Sequence, residues 1–99
     1  MDRTSVLRDP VAGVGFNISS SGTAANSSNQ NPGPTSVMVW GSEDFYAEVG
    51  EAAVATATST PIPAGVPMFL PIPQGTGAPW RVSVLQISAA GTVYCKAFV

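Results

Sequence analysis

Nine prolines and ten glycines are scattered through 99 residues, and no window between them repeats apolar residues at i, i+3, i+4 and i+7 over three clean turns. Proline lacks the amide proton that a helix or sheet interior needs, and glycine weakens both. Long helices are thereby excluded. What lies between the breaks is short and alternates with period two: Val14, Phe16 and Ile18; residues 36–40; Phe45, Ala47 and Val49; residues 80–88; residues 92–99. The nearest helical candidate, residues 43–58, is Ala-rich, but valines and threonines dilute it and Gly50 interrupts it, so it reads as strands with a turn. Short strands with turn residues between them predict an all-β fold, a small antiparallel β-sandwich or barrel with long loops.

The length allows one domain, and a hydrophobic share of 44% is enough to give it a core. The expected layout is a single β-domain over 1–99, with a flexible or extended N-terminal segment (1–10) and a long Ser/Asn/Gly/Pro-rich loop (19–35). Its interior is expected to hold Phe16, Val37, Val39, Phe45, Val82, Val84, Ile87, Val93 and Cys95, with Trp40 and Trp80 at the margins. Residues 80–88 and 92–99 look like a terminal hairpin turning at Ala89-Ala90-Gly91. In its second arm Val93, Cys95, Ala97 and Val99 share one face; Thr92, Tyr94, Lys96 and Phe98 share the other. Between residues 61 and 73, five prolines alternate with large apolar groups. That segment is polyproline-like or an edge strand, since proline cannot donate to a ladder.

Catalytic chemistry finds few candidates. Histidine is absent and Cys95 is the single cysteine, which removes the ligand sets of structural zinc, iron–sulfur clusters and blue copper and leaves a cysteine nucleophile without an imidazole base. Cys95 is read as a buried small hydrophobe. Four of the six acids, Glu43, Asp44, Glu48 and Glu51, cluster on one stretch. A paired-carboxylate site would need two of them to face each other across a cleft, and a calcium site would need a loop spacing that this stretch lacks. A solvated acidic turn and strand face is the simpler reading. The triplets Asn17-Ile18-Ser19 and Asn26-Ser27-Ser28 fit the glycosylation pattern, as a Ser/Asn-rich loop does by chance. No cofactor and no catalytic or metal residue is expected.

Charge is scarce: 10% of residues, with a net charge of −2, against about 25% charged in an ordinary soluble domain. Four basic residues cannot neutralise a run of phosphates, so nucleic acid is not an expected partner. No secretory signal is visible at the start, and no apolar run is long enough to span a bilayer as a helix, so no membrane partner is expected either. From residue 11 to 42 there is no ionisable side chain, and from 52 to 99 there is no acid, only Arg81 and Lys96. Long uncharged surfaces suggest an exterior covered by neighbouring copies or by a host surface. An apolar edge at Val66, Met68, Phe69, Leu70 and Ile72 is the expected interface, with Arg3 and Arg8 setting orientation.

The stretch from Ala55-Thr56-Ala57-Thr58-Ser59-Thr60-Pro61-Ile62-Pro63-Ala64-Gly65 to Trp80-Arg81-Val82-Ser83-Val84-Leu85-Gln86-Ile87-Ser88-Ala89-Ala90-Gly91-Thr92-Val93-Tyr94 resembles small structural proteins of tailed bacteriophage virions. In these a Thr-rich run, a Pro-x-Pro-Ala-Gly turn and a hairpin ending in Gly-Thr-Val-Tyr close a compact β-sandwich. The resemblance covers about the C-terminal half. It implies a non-enzymatic capsid decoration (cement) protein on the virion surface, whose partners are the major capsid protein and copies of itself as a trimer or dimer. The alternative that it implies is a small head-fibre or tail component that binds a receptor or host surface.

Overall fold

The computed structural model describes residues 10–74 and 77–98, and side chains in the first strand from Gly15 onward. The described residues form eight strands: β1 (Pro10–Ser19), β2 (Ala25–Asn26), β3 (Ser36–Gly41), β4 (Phe45–Gly50), β5 (Thr60–Ile62), β6 (Met68–Pro71), β7 (Arg81–Gln86) and β8 (Thr92–Phe98). They build two antiparallel four-stranded sheets, ordered β1-β8-β3-β6 and β2-β7-β4-β5, and no described residue is helical. The expected all-β sandwich is what the chain forms. The pairs β1·β8, β2·β7, β3·β6 and β4·β5 are nested, as if one long hairpin had been wound around a barrel. This is the strand order of an eight-stranded jelly roll.

That winding overturns the expected terminal hairpin. β7 pairs with β2 and β4, whereas β8 pairs with β1 and β3, so residues 87–91 cross from one sheet to the other. The reason is burial. Val82 and Val84 on β7, and Val93, Cys95 and Ala97 on β8, are all buried, and two such faces are satisfied by opposing one another across a core about 10 Å thick. Serines pin the crossing: Gly91 N–H donates to Ser20 Oγ at 2.9 Å, and Thr92 N–H donates to Ser42 Oγ at 3.0 Å.

The core joins Val37, Val39, Phe45, Val82, Val84, Val93 and Cys95, as expected, with Phe16 packed at its edge. It also takes Ile18, Ala47, Ile62, Ile72 and Ala97. Two expected positions are corrected. Ile87 is 41% exposed, because Val82 and Val84 set the inward parity of β7 and an odd residue beyond its end points away. Trp80, with the same even parity, is not marginal but 2% exposed; its ring lies 6.2 Å from that of Phe16, and its Nε1–H donates to the Asn31 carbonyl at 2.9 Å. Phe45 reaches the core across the β3–β4 corner because Gly41 is bare there. A Cβ on Gly41 would lie 2.6 Å from the Phe45 ring.

The long polar segment after β1 is mostly irregular but tied along β7. Ser27 N–H donates to the Val82 carbonyl at 2.8 Å, Val82 N–H donates to Ser27 Oγ at 3.0 Å, and Gln30 and Trp80 exchange backbone bonds. The proline-rich stretch supplies one edge strand to each sheet, β5 and β6, as proline's missing donor favours. The expected N-terminal segment lies outside the described residues up to Pro10, where β1 begins.

Candidate functional site

The outer face of the β1-β8-β3-β6 sheet is the surface most unlike an ordinary protein exterior. Strand parity turns Val37 and Val39 inward on β3, and Val93, Cys95 and Ala97 inward on β8. Met38, Trp40, Tyr94, Lys96 and Phe98 therefore point out. Register then lines them up across the sheet. Tyr94 lies between Asn17 and Trp40, Lys96 lies between Gly15 and Met38, and Met38 faces Phe69 on β6. The Trp40 and Tyr94 rings stack at 4.9 Å with a 34° tilt, and the Phe69 and Phe98 rings meet edge-on at 5.3 Å. Trp40, Tyr94 and Phe69 remain 40%, 40% and 43% exposed. The result is an aromatic field that carries one charge among the described residues, Lys96. Such patches on a monomer mark interaction sites.

The residues expected at the interface divide between surface and core. Phe69 faces out, and Val66 is exposed in the turn before β6. Met68 and Leu70 are half-buried against the core, and Ile72, 3% exposed, is part of it. Period two explains the split, since adjacent residues of a strand point to opposite faces and Met68, Leu70 and Ile72 share the inward parity that Phe69 lacks; as a core residue, Ile72 has no surface to offer a partner. Arg3 and Arg8 lie outside the described residues. Trp40, Met38, Tyr94, Lys96 and Phe98 were not anticipated as a site. The signal was there in β3 and β8, which carry large side chains on both parities, but it becomes a surface only once the two strands are known to be neighbours.

Other places in the fold offer less chemistry. Among the described residues no three His, Cys, Asp or Glu side chains come together. Asp44 is occupied locally, its Oδ1 accepting from Ala64 N–H at 2.7 Å, while Glu48 points outward from β4 and is exposed. One cleft, of about 150 Å³, opens between β5 and β6 beside Glu48, and another, of about 260 Å³, lies between Ile87, Pro61 and Asp44. Each cleft has a single carboxylate in its wall. Cys95 is buried, and desolvation pushes its thiol up from 9.0 to about 12, so it is neither a thiolate nor a nucleophile near neutral pH. No helix among the described residues is long and apolar enough to cross a membrane. No family model, curated protein or solved structure matches the chain significantly.

Proposed function

We propose that this chain is a non-enzymatic virion structural protein, a capsid decoration protein that binds the capsid lattice in many copies and stabilises it. The observation that carries this reading is the aromatic outer face of the β1-β8-β3-β6 sheet, where Trp40, Tyr94 and Phe69 expose large rings around one charge. Rings exposed in this way are stabilised by about 25 cal/mol for each Å² that a partner covers. A single contact yields only the surplus over the cost of association, but a lattice repeats it, and every bound copy shifts the assembled shell toward the intact state by mass action. The jelly-roll order adds a fold-level analogy, since capsid domains use it and so do lectins. Attachment through apolar packing resists salt, which screens exposed charge and little else.

Electron microscopy of virions that carry the chain tests the reading. A regular icosahedral array of small β-domains on the shell is the expected result. A single ring at one vertex would replace decoration by a tail role, fibres projecting from the head would replace it by a head-fibre role, and absence from the particle would end the virion reading. Particles washed through a salt series to roughly 1 M, where the Debye length falls to about 3 Å, should retain the chain. The Phe69→Asp variant should stay folded and be released.

A further inference from the structure

We infer that the aromatic face docks onto a protein surface that presents a carboxylate to Lys96, so that the capsid contact is an apolar interface with one ion pair at its centre. This rests on the decoration reading and adds the chemistry of the partner. Lys96 occupies the middle of the face: Tyr94 and Phe98 flank it along β8, and Gly15 and Met38 flank it across the sheet. Its stem runs over Gly15, with Cδ 3.6 Å from where a Cβ on that glycine would stand. That is ordinary contact distance, and the side chain is half-buried before anything docks.

The other charges show what must come from outside. The four acids among the described residues, Glu43, Asp44, Glu48 and Glu51, lie in the β3–β4 connection, on β4 and just after it. None is on β1, β8, β3 or β6. A partner that covers the rings also strips water from an ammonium group that has no carboxylate among the described residues of its own sheet, and a desolvated cation is tolerated only when paired. A second copy docking by the same face would bring two ammonium groups into one apolar interface, which like-charge repulsion opposes. The complementary occupant is a different surface, apolar and acidic.

The experiment is co-sedimentation of the full chain with virions stripped of it, comparing wild type with K96R, K96M and K96E, each first shown to melt like wild type. K96R keeps the charge and should bind within about threefold of wild type. K96M keeps an apolar stem and should bind about tenfold more weakly, and K96E about a hundredfold more weakly, as the loss and the reversal of a buried charge pair require. K96M binding as tightly as wild type would overturn the inference while leaving the decoration reading in place. Tighter binding by K96E would overturn it too, by placing a cation on the partner. If wild type dimerises in sedimentation and K96E or K96M dimerises more strongly, the occupant is a second copy and the inference fails. Wild type that never binds virions ends both readings together.

Discussion

The two sheets of this sandwich treat their outer faces in opposite ways. On the β2-β7-β4-β5 sheet, Ser83 points outward yet is completely buried, because residues 51–59 fold back over it as a strap. Ala53, Ala55 and Ser59 are buried in that cover. Ala55 N–H donates to Ser83 Oγ at 2.8 Å, and Arg81 Nε donates to the Ala53 carbonyl at 2.9 Å. On the β1-β8-β3-β6 sheet, the corresponding outward positions are Trp40 and Tyr94, with nothing of the described chain laid over them to match the strap. Small residues let the strap lie flat; among the described residues the aromatic face has no such cover. Among the described residues, one sheet is covered by its own chain and the other keeps its rings exposed, as the proposed docking requires.

Four measurements sharpen or break this contrast. The core between the sheets should be indifferent to it and most sensitive to truncation: Trp80→Ala should cost about 3–5 kcal/mol through the cavity left behind, read from denaturant midpoints. A smaller loss would mean that the β1 and β2 edges collapse onto the gap. On the strapped face, Ser83→Ala leaves the buried Ala55 amide without its acceptor and should cost about 1–3 kcal/mol, with proteolytic nicking within 51–59 appearing first. Equal protection in the variant would show that the strap is held by something other than that bond.

The third measurement probes the inner face of β8. The Cys95 thiol is held at about 12 when folded against an ordinary value of 9.0, so below pH 9 both states keep the proton and no stability is lost. Above it the unfolded chain ionises first. Stability should then fall by up to about 1.4 kcal/mol per pH unit until the folded thiol titrates. Cys95→Ala should remove that slope, and a slope that persists in the variant belongs to another group. The smallest effect on folding is expected on the aromatic face. Trp40→Ser forfeits the stacked contact with Tyr94, about 0.5–1.5 kcal/mol, and should abolish particle binding. A variant that melts far below wild type would mean that the face supports the fold rather than a partner.

Much of this was legible because it depends on local chemistry. Nine prolines and ten glycines rule out long helices wherever the chain goes, and period two in Val93, Cys95 and Ala97 says that one side of that strand is buried whatever lies opposite. The proline run could only be an edge or lie outside a sheet, and β5 and β6 are edges. Parity, applied strictly, would also have placed Trp80 inside and Ile87 outside, since both follow from Val82 and Val84. The alternation of residues 66–72 carried the same information, dividing Phe69 on the surface from Ile72 in the core.

Alternation says that a strand has two faces, but not which strand lies beside it. Adjacent strands with a short turn look like a hairpin, yet β7 and β8 oppose one another across the core and each pairs with strands far earlier in the chain. That choice belongs to the summed burial of all eight strands, which no local window contains. The aromatic face depends on it. Trp40 and Tyr94 are 54 positions apart in the chain, by the difference of their numbers, and become neighbours only through the β3·β8 register. The strap depends on it too, because a run of Ala and Thr covers a face only when β4 and β7 have set Ser83 beneath it.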